Sequence, residues 1–200
     1  MTNLIRCRGA VSEMAALFDA SPDDGLAWRD VIWPGEKLLV VTRGSGERRL
    51  QNKTWGLARQ CFAGAAPLAR RATLFPRDLT ERSRLASAGQ LLPCLIVIEA
   101  FAYPDGPAGR RSRVWSGLWD HPLCAWAGLW SEGGVAGVLG LSRDPIARLS
   151  GHMPLVLTGP DQQAWLEGMS PLALSGSYPD AAFYLERTDE LWSTGTFVSE

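Results

Sequence analysis

Along most of this chain apolar and polar positions alternate with the short period of strands, and the longer period of helices is confined to brief stretches. The most apolar strand is expected over residues 91–101, where Cys94, Ile96 and Ile98 alternate with Leu95, Val97 and Glu99. Residues 37–42 predict another strand, Gly44-Ser45-Gly46 turns it, and residues 47–55 return beside it as a hairpin partner. Further short strands are expected at 3–8, 114–119, 125–130 and 135–141, with Asp120-His121-Pro122 and Glu132-Gly133-Gly134 as turns. A helix is predicted over 11–18, capped by Ser12, with Met14, Leu17 and Phe18 on one face. Trp55-Gly56-Leu57 ends its strand with a glycine that permits close approach of another backbone or a ligand. Residues 58–73 read as a long loop rich in Ala, Gly and Arg, and long ordered loops are often functional. Residues 76–88 are polar and helical in part.

The stretch Leu149-Ser150-Gly151-His152 holds one of the chain's 2 histidines and leads through Pro154 into the apolar Leu155-Val156-Leu157. Proline fixes its own φ and lacks a ladder donor, so Pro154 suits the first position of a strand. Gly159-Pro160-Asp161 then opens a helix whose Ala164, Trp165 and Leu166 face inward. A polar side chain just before such a strand is aimed by a rigid frame, as a site requires; a plain strand start has the same look. Beyond about residue 167 the chain reads as loop-rich, with Phe183-Tyr184-Leu185 before a polar tail. Many short strands and few helices predict an α+β fold: a mainly antiparallel β core, barrel-like or two-sheet, with short peripheral helices. Residues 1–200 are expected to form a single domain, with no repeat or linker.

Composition narrows the function classes. The formal net charge is -1, so no global field selects nucleic acid or membrane. Locally, Arg48, Arg49, Lys53, Arg59, Arg70 and Arg71 outnumber the acids around them, which fits a one-sided basic surface or a solvated face. Cys7, Cys61, Cys94 and Cys124 make no C-x-x-C pair, and neither His121 nor His152 adds a zinc-like spacing, so no metal or other cofactor is expected. The start of the chain has no apolar signal region and no run is long enough to span a bilayer. A cytoplasmic protein with reduced thiols and no membrane partner is expected.

Several short blocks fall in a familiar order: Trp33-Pro34-Gly35, Trp55-Gly56-Leu57, Leu68-Ala69-Arg70, Cys94-Leu95-Ile96 running to Phe101, Ala127-Gly128-Leu129-Trp130, and His152-Met153-Pro154 with Trp165-Leu166. In order and spacing they resemble the SOS-response-associated peptidase (SRAP) family, over nearly all of the chain from Cys7 to Leu166. The resemblance implies a DNA-damage sensor that recognises abasic sites in single-stranded DNA and links to them through an N-terminal cysteine. In that chemistry the amine forms a Schiff base with the opened sugar aldehyde and the thiol closes a thiazolidine. An Asn orients the residue, a Glu moves protons and a His assists. Arginines hold phosphates and an aromatic wedge stacks on a base.

This chain departs from that pattern at the reactive positions. It begins Met1-Thr2-Asn3 where the family begins Met-Cys-Gly-Arg; the nearest cysteine is Cys7, an internal residue without a free α-amine, and a Thr2 hydroxyl substitutes poorly for a thiol. The family's Asn-Ala-Arg appears as Leu68-Ala69-Arg70, so the Asn is lost and the Arg kept. Tyr103 stands where the resemblance implies the Glu, and Ser150 where it implies the His, with His152 at the family's Arg position.

The expectation is a pseudoenzyme that has lost the crosslinking chemistry and binds DNA without a covalent bond, through Arg59, Arg70, Arg71 and Phe62, the last at the family's wedge position. A partner-binding or regulatory protein on the same fold is the alternative, favoured by abundant tryptophan. A third reading relocates catalysis to Cys7 or Ser150 beside His152. Cys7 is otherwise an apolar filler, His152 a loop cap and Tyr103 half-buried packing. Trp33, Trp55, Trp119, Trp126, Trp130 and Trp165 read as structural, and Arg110, Arg111 and Arg113 as a basic hairpin tip.

Overall fold

The computed structural model describes residues 4–44, 46–57, 70–75, 91–170 and 178–192. In chain order its elements are β1 (Ile5–Arg6), α1 (Val11–Phe18), β2 (Ala20–Pro22), β3 (Val31–Ile32), β4 (Lys37–Arg43), β5 (Arg48–Thr54), β6 (Thr73–Leu74), β7 (Leu92–Ile98) and β8 (Ala100–Asp105). There follow β9 (Ser112–Leu118), β10 (Cys124–Ser131), β11 (Gly134–Leu141), β12 (His152–Pro154), β13 (Val156–Leu157), α2 (Gly159–Leu166) and β14 (Phe183–Leu191).

Two sheets form the core. The smaller runs β14-β9-β8-β1-β3; the larger runs β12-β11-β10-β7-β4-β5-β2, with β6 on β11 and β13 on β10. Pairing is antiparallel except for β2 on β5 and β6 on β11. The larger sheet curls until Trp55, just past β5, bridges Val135 in β11, and no further ladder joins those two strands among the described residues. The α+β class is as expected, and of its two forms the two-sheet one is realised.

The strand expected over 91–101 is in fact two. β7 lies in the larger sheet and β8 in the smaller, and Glu99 carries the chain between them. Cys94 through Ile98 are all fully buried, so both faces of β7 are covered and alternation there carries no inside–outside meaning. A carboxylate cannot follow into that core, and the chain changes sheets where Glu99 meets Arg6 and Arg8.

Three fully buried tryptophans of the main core have their N–H groups satisfied. Trp55 donates to the Ala72 carbonyl at 2.9 Å, Trp126 to Val138 at 2.7 Å and Trp165 to Cys94 at 2.9 Å. Trp126 occupies the room left by Gly137, where an added Cβ would lie 1.9 Å from the indole.

Four local expectations need correction. Helix α1 starts at Val11, so Ser12 is already inside the first turn; the Ala10 N–H donates to the Glu13 carboxylate at 3.3 Å, which does the capping work from the third helical position. Met14 and Phe18 are buried, but Leu17 is 57% exposed, because only the i, i+4 pair faces the core. Pro154 closes β12 rather than opening a strand: Leu155 crosses between β11 and β10, donating to Val138 and accepting from Ala127, both at 2.9 Å. The tail expected to be loop-rich contains the nine-residue β14, hidden in the sequence because its exposed edge position leaves it mostly polar. No helix among the described residues is long and apolar enough to cross a membrane.

Candidate functional site

Tyr103 in β8 is buried, and its hydroxyl donates to the backbone carbonyl of His152 at 2.8 Å. Ser150 donates its hydroxyl to the same carbonyl at 2.9 Å and accepts the His152 N–H at 3.2 Å. The two positions where the resemblance implies a Glu and a His therefore converge on one peptide group. Both now carry neutral hydroxyls, and both grip a main-chain oxygen. The result is a clamp that ties β8 of the smaller sheet to β12 at the edge of the larger one. Burial pushes the Tyr103 phenol well above its ordinary pKa, so it remains a donor throughout the physiological range. The half-buried His152 ring meets Phe75 edge-on, with centroids 4.9 Å apart. Ser150 bonds the histidine's backbone and not its imidazole, so the nucleophile–base pair of the relocated-enzyme reading does not form.

Cys7 is fully buried beyond the end of β1. Burial first, then the Glu99 and Asp30 carboxylates, push its pKa up to about 12, so it is a thiol at neutral pH. Its nitrogen is a peptide N–H that donates to the backbone carbonyl of Asp30 at 2.9 Å, and its carbonyl accepts the Trp28 indole N–H at 2.9 Å. Neither an amine nor a thiolate is available, which matches the filler role. Burial raises Cys94 and Cys124 as well, the latter to about 12.

Arg70 has a different setting. Its side chain is exposed, yet one nitrogen, Nη1, donates to the carbonyls of Gly56 and Gly133, each at 3.2 Å. Its Nε–H and Nη2 have no hydrogen-bond partner among the described residues. The glycine that the sequence marked for close approach is what allows this: Gly56 has φ +120°, and a Cβ there would lie 2.8 Å from the Arg70 Cβ. The neighbouring Arg71 is exposed, and its backbone exchanges two 3.0 Å hydrogen bonds with Leu57. On the strands beneath, the Lys53 ammonium sits 4.2 Å over the Trp130 ring. Trp130 precedes the turn that supplies Gly133, so Lys53, Trp130 and Arg70 border the junction of β5 and β11. Trp130 belonged to a block of the resemblance and Lys53 to the basic stretch; only the curl of the larger sheet brings them to Arg70.

The remaining candidates are placed elsewhere. Arg59 and Phe62 lie outside the described residues, as does Cys61. Arg48 and Arg49 stand at the far end of the β4–β5 hairpin, where Arg48 donates to the Phe18 carbonyl and to Gln163 and Arg49 pairs with Asp23. The basic stretch is therefore split between two ends of one hairpin. Arg113 pairs with Glu190 at 2.8 Å. Trp119, read as structural, is 69% exposed and leans on Tyr184 with centroids 5.3 Å apart.

A second polar cluster, missed in the sequence, surrounds Glu99. Arg6 approaches it at 3.0 Å and Arg8 at 2.5 Å, and the Arg6 guanidinium lies 4.8 Å over Trp115. Burial alone would raise the Glu99 pKa, but the Arg8 hydrogen bond and the two arginine charges outweigh it and hold the carboxyl below its usual range. Among the described residues no group of three His, Cys, Asp or Glu side chains could hold a metal ion.

No family model matches the chain, and no curated protein matches it. Solved structures do. A Bordetella bronchiseptica protein superposes with a TM-score of 0.74 at 17% identity, covering 93% of this chain and 99% of that one. A phage-related protein from the same organism gives 0.70 at 16% identity, covering 93% of each chain. A Bacteroides thetaiotaomicron protein gives 0.68 at 13% identity, covering 92% of this chain and 90% of that one. At such low identity the likeness establishes a shared fold over almost the whole chain, and the fold alone.

Proposed function

We propose that this chain is a non-covalent single-stranded-DNA-binding protein on an SRAP-like scaffold, in which the crosslinking chemistry of an abasic-site sensor has been replaced by a structural clamp. The observation that carries the binding part is Arg70. Two main-chain carbonyls hold the guanidinium of this exposed residue in place through Nη1 alone, and its other N–H groups have no partner among the described residues, so little side-chain entropy is lost when they meet a phosphate. Lys53 over Trp130 adds a second cation and an aromatic surface to the same rim. The observation that carries the non-covalent part is the set of hydroxyls on the His152 carbonyl, together with a buried, protonated Cys7.

Fluorescence anisotropy with a labelled oligothymidine tests the binding. Affinity should fall steeply with salt, and Arg70→Ala should reduce the slope of log K against log salt by about 0.7, one phosphate contact on a single strand. Absence of salt-sensitive binding at micromolar protein would refute the reading. Incubation with abasic single-stranded DNA should leave no adduct on a denaturing gel; a stable adduct would overturn the non-covalent half.

Exposed Trp119 favours a second reading, a protein partner on the same scaffold, since exposed tryptophan is over-represented at binding hot spots.

A further inference from the structure

The edges of the two sheets are guarded unequally. β3 offers two residues, β2 three ending in Pro22, and β12 three ending in Pro154. Short length and proline are common protections of an edge. β14 is nine residues long, pairs with β9 on one side, and has no main-chain partner on the other among the described residues. Its regular part, Phe183 to Arg187, lies opposite Leu118 to Val114, and the irregularity falls only beyond Arg187. Along the regular portion one row of backbone donors and acceptors is therefore left without a main-chain partner among the described residues.

The side chains on this edge are selective in sign. Within β14, Glu186, Asp189 and Glu190 stand with a single cation, Arg187, which is paired with Asp105. The Glu186 and Glu190 side chains remain 51% and 59% exposed despite contacts to Arg6 and Arg113. Asp189 has no ion-pair partner among the described residues. Many protected edges carry lysine, which repels strands in general terms. A carboxylate edge repels acidic strands and other copies of itself, because antiparallel pairing would set like charges near one another. A basic strand is the one it admits. Apolar contacts mark both ends: Trp119, 69% exposed and leaning on Tyr184, and Leu191, 65% exposed.

We infer that β14 is a docking edge for an extended lysine- or arginine-rich segment of a partner protein, which adds as a further strand to the smaller sheet. Tyr184 and Glu186 share one face of β14 and already take one guanidinium there, Arg6 Nη2 at 3.5 and 3.4 Å, so a cation at the facing position of the incoming strand meets a phenol and a half-exposed carboxylate. The main-chain hydrogen bonds supply affinity and the alternate side chains supply choice. This surface is separate from the Arg70 rim and does not depend on DNA binding.

The test uses a fluorescein-labelled synthetic peptide in which Lys or Arg alternates with Val or Thr, read by anisotropy and by amide hydrogen exchange of the full chain. Binding at low salt should slow exchange at residues 184–188. N-methylation of one alternate set of peptide amides should abolish binding and methylation of the other set should not, because only one set faces the edge. Asp189→Lys, at an exposed position without an ion pair among the described residues, should weaken binding about threefold, the scale of one exposed ion pair. Arg70→Ala should leave peptide binding unchanged. Equal binding by both methylated peptides, equal binding by a Glu-for-Lys peptide, or exchange protection that spares β14 would each overturn the inference. Protection of β14 by oligothymidine instead of the peptide would overturn it as well.

Discussion

The clamp on the His152 carbonyl makes a prediction that separates a structural role from a remnant of chemistry. The carbonyl has two lone pairs, and Tyr103 and Ser150 fill both, at 2.8 and 2.9 Å. Tyr103→Phe removes one donor and leaves the other, so its cost should be about 1 kcal/mol, the net value of one hydrogen bond. Ser150→Ala should cost about the same, with the loss of the acceptor for the His152 N–H added. The double variant strips the carbonyl of both donors. A buried polar group left without a partner costs about 1–3 kcal/mol, so the pair should lose more than the two singles added, with a coupling of about 1 kcal/mol or more. Urea unfolding of the four proteins measures this, provided the slope m is unchanged across the set. For a chain of this size about 1 kcal/mol also lowers Tm by about 2–4 °C. Strict additivity within about 0.3 kcal/mol, or a Tyr103→Phe variant as stable as the parent, would show that the shared carbonyl is not what joins β8 to β12. Oligothymidine affinity of the single variants should stay unchanged, since neither hydroxyl lies on the Arg70 rim.

Three further outcomes follow from the same geometry. Gly56→Ala puts a Cβ 2.8 Å from the Arg70 Cβ at a backbone of φ +120°, so it should cost about 1–3 kcal/mol and weaken oligothymidine binding as much as Arg70→Ala does, by unfolding and anisotropy measurements. Cys7, Cys94 and Cys124 are buried with raised pKa values, so iodoacetamide at pH 8 followed by peptide mapping should find them unlabelled in the native protein and labelled in urea; rapid native labelling of Cys7 would contradict its burial. Glu99 is held below its ordinary range, so the stability it contributes is complete above the unfolded-state value of about 4.3 and is lost as pH falls through the lower folded value. Glu99→Gln should therefore be less stable than the parent at pH 7, with the difference shrinking below pH 4; a difference that stays constant with pH would exclude the charge as its source.

How far the residues alone carried depends on which forces were local. The strands at 37–42, 125–130 and 135–141, the helix at 11–18 and the helix after Gly159 were legible because period and turn chemistry act within a few residues of sequence. Gly56 was legible as a place of close approach for the same reason. What the residues could not tell was which distant groups would arrive there. Arg70 reaches Gly56 and Gly133 because the larger sheet curls until Trp55, just past β5, meets β11, where the Trp55 and Trp126 rings also pack edge-on. The exchange of sheets at Glu99 was hidden because an apolar run looks the same whether it continues or turns, and only the positions of Arg6 and Arg8 decide where a carboxylate can rest. β14 was missed because its open edge lets it be polar, which erases the signal that burial writes into a strand. Tyr103 and Ser150 could be matched to positions in a family pattern, but their meeting on one carbonyl follows from two sheets packed together, an arrangement that no stretch of the chain contains by itself.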